Sequence, residues 1–208
     1  MFKNTIFRRM TALVLTLALA AAAALPGLAV YPMPIQTASE TEAVYLFNAD
    51  TGKTILNQNA DQQQYVASLT KLMTALLLLE SGKDLNGEVT VPTALTQEFR
   101  DIQNANGTTM GLRIGETVRR IDLLNALLIT SANDAASVIA WDVGGSLNAF
   151  IQQMNARAAE LGCTSATFTC AHGLYDYGNV ASAEDMAKIA AACAANETFA
   201  QVAGSTTY

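Results

Sequence analysis

The 208-residue chain is 51% hydrophobic and 14% charged, the balance of a folded protein and not of a disordered one. Its 12 Lys+Arg against 18 Asp+Glu give a net charge of −6 and exclude the basic footprint a nucleic-acid binder needs. One His and three scattered Cys supply no paired metal-ligand spacing, so neither a metal nor another cofactor is implied.

The first 29 residues differ from the rest. Lys3, Arg8 and Arg9 precede an apolar run from Thr11 to Leu25, no acid occurs before Glu40, and Pro26-Gly27-Leu28-Ala29 supplies a helix breaker with small residues beyond it. This is the three-part layout of a secretory signal peptide, predicting cleavage near Ala29 and one domain over residues 30–208, outside the cytoplasm. An uncleaved anchor is the rival reading, because Thr11–Val30 is just long enough to span a bilayer. Pro26 and Gly27 shorten the apolar core and favour cleavage. Removing three of the 12 cations and none of the 18 anions leaves a net charge of −9, which gives no footing on an anionic membrane surface. Cys163, Cys170 and Cys193 allow either one disulfide with a free thiol or three small buried hydrophobes.

Two β-prone runs, 43–48 and 53–58, flank Ala49-Asp50-Thr51-Gly52 and predict a hairpin. Residues 68–80 predict a helix that is apolar almost all round, hence buried on most sides, and that stops at Gly82. The polar, Gly-rich stretch 84–117 reads as short strands and loops. Ile121, Leu124, Leu127 and Leu128 recur at helical spacing up to Thr130-Ser131-Ala132-Asn133, and a second helix runs over 134–143 to Gly144-Gly145. Ser146 reads as the N-cap of a helix to Leu161, and Ser182 as the cap of an Ala-rich helix through Ala195.

Ser68-Leu69-Thr70-Lys71 is the only Ser-x-x-Lys in the chain. At i and i+3 on a helix the hydroxyl and the amine share one face. A serine hydroxyl attacks poorly until a base takes its proton, and a lysine becomes that base when burial depresses its pKa. Ser68 at the helix N-terminus also meets backbone N–H groups that favour developing negative charge. Ser131-Ala132-Asn133, between two helices, offers a hydroxyl that can relay a proton to a leaving amine and an amide that can hold a peptide carbonyl. Ser146-Leu147-Asn148 has the same spacing, but capping accounts for it completely.

With their context, Tyr45–Lys53, Asn59-Ala60-Asp61, Ala67–Leu76, Ser131–Ala136 and His172–Asp176, these motifs resemble the D-alanyl-D-alanine carboxypeptidases, the low-molecular-mass penicillin-binding proteins of the S11 serine peptidases, over residues 40–200. The resemblance implies an α+β fold, an antiparallel sheet packed by helices with a helical subdomain. It implies Ser68 as nucleophile, Lys71 as general base, Ser131 as proton relay and Asn133 as the substrate-binding amide. The implied partners are peptidoglycan stem peptides ending in D-Ala-D-Ala and, as covalent inhibitors, β-lactams. In such proteins a C-terminal amphipathic helix often tethers the enzyme to a membrane, and 1–208 contains no such region. The sequence departs from the pattern at Val66, at Cys170-Ala171 where Asn-Pro is usual, and in lacking the third motif, Lys-Thr-Gly. An N-terminal fragment without the final sheet strands is therefore expected. A non-catalytic envelope protein or β-lactam or muropeptide sensor, and a β-lactamase, are the competing readings. His172 is expected to be structural, and Glu160, at a helix end, is no candidate for a deacylating carboxylate.

Overall fold

A computed structural model describes residues 39–208 apart from Tyr175. The predicted signal peptide, its cleavage point and the start of the predicted domain lie outside the described residues. In chain order the elements are β1 (Val44–Phe47), β2 (Thr54–Gln58), β3 (Gln64–Tyr65), a 3₁₀ turn (Ala67–Leu69), α1 (Thr70–Glu80), β4 (Glu88–Thr90) and α2 (Thr96–Asn104). They continue with β5 (Thr117–Arg119), α3 (Arg120–Ile129), α4 (Asn133–Gly144), α5 (Leu147–Glu160), β6 (Val180–Ala181), α6 (Ala183–Ala194) and α7 (Glu197–Ala203).

The strands pair antiparallel in three two-stranded ladders, β1 with β2, β3 with β6 and β4 with β5. The predicted hairpin is β1–β2, in register from Val44 opposite Gln58 to Leu46 opposite Leu56, with an irregularity at Leu46/Phe47. Most of the apolar burial is helical. α1 packs against α3, α4, α5 and α6, and Met73, Ala75, Leu76 and Leu78 along it are excluded from solvent. Each large side chain so buried contributes roughly 1.5–3 kcal/mol. α4 meets its neighbours through Ala135, Ala136, Val138, Ile139 and Ala140, all fully buried; small side chains there let three helices approach closely.

Two helices differ from the sequence reading. The stretch expected to hold only strands and loops contains α2, whose inward stripe is little more than Leu95, Phe99 and Ile102. α7, with Phe199 and Val202 turned inward, was not anticipated. Ser146 and Ser182 are side-chain N-caps as expected, accepting from Ala149 and Asp185 N–H at 3.1 Å each. Ion pairs tie helix to helix: Arg120 on α3 to Asp142 on α4 at 2.7 Å, and Arg157 on α5 to Glu80 on α1 at 2.8 Å. Cys163, Cys170 and Cys193 are all free thiols, which answers the disulfide question the sequence left open. Among the described residues no helix is long and apolar enough to cross a membrane.

Candidate active site

The apolar helix α1 carries one polar face, at its N-terminal end. Thr70, Lys71 and Thr74 are buried, and buried polar groups cost free energy unless they find partners. The segment 170–179 supplies them. Thr74 Oγ1 donates to Ala171 O at 2.6 Å, Lys71 Nζ to His172 O at 2.6 Å, and Asn179 Nδ2 donates to Thr70 Oγ1 at 2.7 Å.

Lys71 has two further neighbours. Its Nζ lies 2.8 Å from Asn133 Oδ1 and 3.2 Å from Ser68 Oγ. Burial pulls the Lys71 ammonium down from an ordinary 10.5 to about 8, against the opposing influence of Cys170. A neutral amine has two N–H bonds and one lone pair. With the two short contacts taken by the carbonyl oxygens of Asn133 and His172, the lone pair is left for the direction of Ser68, where it can accept the hydroxyl proton. Ser68 lies in the 3₁₀ turn that leads into α1, so the spacing of the two side chains survives although the α-helix proper starts at Thr70.

Asn133 opens α4. Its Oδ1 accepts from Lys71 and its Nδ2 donates to Thr108 O at 2.9 Å, while its backbone N–H also bonds Thr108 O at 2.8 Å. Gly107 makes this approach feasible, since a Cβ there would lie 2.8 Å from Asn133 Nδ2. The next residue, Asp134, accepts from the N–H groups of Met110, Gly111 and Leu112 at 3.0 Å each. The Ser-x-Asn segment is thereby locked to the 108–112 loop.

Ser131 is half-buried beside this group, in the link between α3 and α4. Its hydroxyl bonds neither Lys71 nor Ser68, nor any other group among the described residues. The structure therefore brings Ser68, Lys71 and Asn133 into direct contact and holds Ser131 two residues from Asn133 with its hydroxyl uncommitted.

Backbone strain marks the same place. Among the described residues the non-glycine positions with positive φ are Asn59, Ala67, Asn106 and Ser131. Asparagine tolerates the left-handed region, but Ala67 (φ 45°) and Ser131 (φ 58°) do not, at a cost of roughly 1–2 kcal/mol each. One precedes Ser68 and the other is a candidate itself. Gly173 is fitted against the first of them: a Cβ there would lie 1.8 Å from Ala67 O.

His172 is buried and acts through its backbone carbonyl, which sequence reasoning did not find. Its ring is held structurally, Nε2 against Glu98 Oε1 at 3.0 Å and Nδ1 accepting from Leu174 N–H at 3.0 Å. Ser137 donates to the same Glu98 oxygen at 2.9 Å. The His172 hydrogen bond is the largest influence on the Glu98 carboxyl and holds it below its ordinary range. Glu160 pairs with Arg157 at 3.0 Å on the exposed end of α5, away from this cluster.

The chain matches solved structures closely enough to define its class. It superposes on the Streptomyces K15 DD-transpeptidase with a TM-score of 0.70 and 30% identity, over 76% of this chain and 62% of that one. A D-alanyl-D-alanine carboxypeptidase from Mycobacterium tuberculosis H37Rv gives 0.68 and 31%, over 76% and 57%. The architecture is the α+β DD-peptidase fold.

The family model described as D-alanyl-D-alanine carboxypeptidase (peptidase S11) matches residues 32–206, and the chain belongs to that family. Curated relatives include the Bacillus subtilis D-alanyl-D-alanine carboxypeptidase DacF, 32% identical over 158 residues and 74% of this chain, and a Pseudomonas aeruginosa D-alanyl-D-alanine endopeptidase, 33% identical over 157 residues and 76%. The chain spans 39% and 48% of the lengths of these two relatives.

Proposed function

We propose that the chain carries the acyl-enzyme chemistry of an exported serine D-alanyl-D-alanine carboxypeptidase. Ser68 Oγ attacks the carbonyl joining the last two D-alanines of a peptidoglycan stem peptide. Lys71, as the neutral amine, takes the hydroxyl proton. Ser131 passes a proton to the leaving D-alanine amine, and the Asn133 amide, besides steadying Lys71, orients the peptide carbonyl. Water then hydrolyses the ester on Ser68 and restores the hydroxyl. A β-lactam enters by the same attack and leaves a long-lived adduct. The substrate places the protein outside the cytoplasm, in keeping with the leader read at residues 1–29.

The observation that carries this reading is the Lys71 amine, shielded from water, lowered to about 8 and 3.2 Å from the Ser68 hydroxyl. An ordinary surface lysine stays protonated at neutral pH and cannot accept a proton.

Fluorescent penicillin tests the assignment. The protein should take a stable label that maps to Ser68, and Ser68→Ala should take none. Equal labelling of the variant refutes the nucleophile. Rapid turnover of the penicillin, with no accumulated label, favours the β-lactamase reading.

A further inference from the structure

Lys71 is oriented by two carbonyl oxygens from different parts of the chain. His172 O, 2.6 Å from Nζ, belongs to the segment 170–179, and Asn133 Oδ1, 2.8 Å away, belongs to the first residue of α4. Segment and helix meet again at a single atom of a third element. Glu98, in the first turn of α2, accepts through Oε1 from His172 Nε2 at 3.0 Å and from Ser137 Oγ at 2.9 Å. Ser137 lies one turn after Asn133 on α4, so the two side chains share a face. Leu174 N–H donates to His172 Nδ1 at 3.0 Å, which leaves Nε2 to carry the proton aimed at Glu98. The ring is pinned at both nitrogens, and the backbone that bears its carbonyl is pinned with it.

The chemistry of this joint suits a fixed position. Ser137 and His172 are both buried, and buried donors are costly to leave without acceptors. Glu98 stays a carboxylate, because the His172 hydrogen bond above all holds it below its ordinary range. A carboxylate only accepts, and both of its partners here donate. Glu98 bonds neither Ser68 nor Lys71, so it acts through the two elements that it joins.

We propose that Glu98 is a positioning residue for the general base: by tying the His172 segment to α4 through one oxygen, it keeps both carbonyl acceptors of Lys71 in place. This deepens the function proposed above and rests on it. A neutral amine with both N–H bonds engaged presents its lone pair in the remaining direction, toward Ser68 Oγ at 3.2 Å. Without the joint the two acceptors shift independently and the lone pair swings off the hydroxyl. A misplacement on the order of 1 Å costs up to about 10²-fold in rate.

Penicillin acylation, resolved into its limiting rate and the concentration that gives half of it, tests the joint. Glu98→Ala should lower the limiting rate at least about tenfold and leave the half-saturating concentration within about twofold. Glu98→Gln, whose amide oxygen still accepts from both donors, should restore the rate to within about threefold of the native protein. Ser137→Ala removes the α4 arm and should slow the native protein about threefold, yet slow Glu98→Ala no further, because it acts only through that carboxylate. It also removes the hydroxyl that Glu98→Ala leaves buried and unpaired, so the double variant serves where the single one does not fold. Equal losses in Glu98→Gln and Glu98→Ala, a loss confined to the half-saturating concentration, or a full further loss in the double variant overturns the proposal.

The Lys71 titration, followed through the 13C shift of its ε-carbon, is a reading independent of penicillin. Cys170 is the titratable neighbour that acts on Lys71, and every variant keeps it. Hydrogen bonds to carbonyl oxygen stabilise the ammonium more than the amine, so a retreating carbonyl favours the neutral form. Glu98→Ala should lower the midpoint from about 8 by roughly half a unit or more, and Glu98→Gln should leave it in place. No shift, or an upward one, in Glu98→Ala overturns the proposal. A Lys71→Ala variant that takes penicillin as fast as the native protein overturns the reading of Lys71 as base instead, and the titration then judges Glu98 alone.

Discussion

Ser131-Ala132-Asn133 leads into α4 and Ser146-Leu147-Asn148 leads into α5, two Ser-x-Asn tripeptides with nearly the same local task. At the second, Ser146 is extended (φ −160°, ψ 158°) and its hydroxyl caps the helix through Ala149 N–H. At the first, the cap position falls on Ala132, which has no side-chain cap. Ser131 is instead left-handed, and Ala132 N–H reaches back to Ala126 O at 3.1 Å to close α3. The N-terminus of α4 thus forgoes about 1 kcal/mol of capping and accepts strain, and a half-buried hydroxyl is kept out of local bonding two residues before Asn133. The same spelling caps a helix in one place and, on the function proposed above, serves chemistry in the other. What separates them is which residue occupies the cap.

The largest effect expected from this contrast is at Ser131. Ser131→Gly keeps a residue that accepts φ 58° and removes only the hydroxyl. Penicillin acylation should fall roughly 10²-fold or more, the scale of a lost proton relay, while the urea midpoint stays level or rises. A parallel loss of midpoint would mean that the hydroxyl supports the fold, and the contrast with Ser146 would fail.

The neighbouring asparagines sharpen the comparison through pH. Lys71 acts as a base only when neutral, and its folded-state pKa is lowered to about 8. The neutral fraction therefore grows as pH rises through that value. Acylation should fall about tenfold per unit below it and level off above it. Asn133→Asp puts a carboxylate where the amide now stands, 2.8 Å from Nζ, and should move the midpoint up by one unit or more. Asn148→Asp should leave it in place. Equal shifts from the two, read from acylation rate against pH, would remove Asn133 from the site.

Much of this was legible in the sequence because it rests on side chains at fixed spacing. Ser-x-x-Lys placed hydroxyl and amine on one helical face, and the apolar run around Lys71 forecast its burial. The hairpin and the helices α1, α3, α4, α5 and α6 followed from runs bounded by Gly, Pro or a capping Ser. α2 was missed because its only apolar residues among polar neighbours are Phe99, which packs against the core, and Ile102, which is buried, and α7 because its stripe is just Phe199 and Val202. The third partner of Lys71 could not be read at all, since it is the backbone carbonyl of His172, and every residue has a carbonyl. The sequence departs from the family pattern at Cys170-Ala171, within the loop that meets α1. The loop docks regardless, because Ala171 and His172 contribute carbonyls to α1 that do not depend on the side chain. Glu98 shows the same limit: it lies far from His172 in sequence, and only the fold joins them.

The smallest effect belongs to the capping serine. Ser146→Ala removes the acceptor for Ala149 N–H at the head of α5, and the loss of one such cap costs about 1 kcal/mol. α5 joins the rest of the core through Phe150 and Met154, both fully buried, so the unfolding midpoint should drop without a change of fold. The rate of penicillin acylation per folded molecule should not change, because no residue of the 146–148 segment bonds Ser68, Lys71, Ser131 or Asn133. Ser131→Gly moves rate and spares stability; Ser146→Ala should do the converse. If Ser146→Ala slowed acylation at temperatures where the protein stays folded, the head of α5 would be coupled to the nucleophile, and spacing alone would no longer tell a cap from a relay.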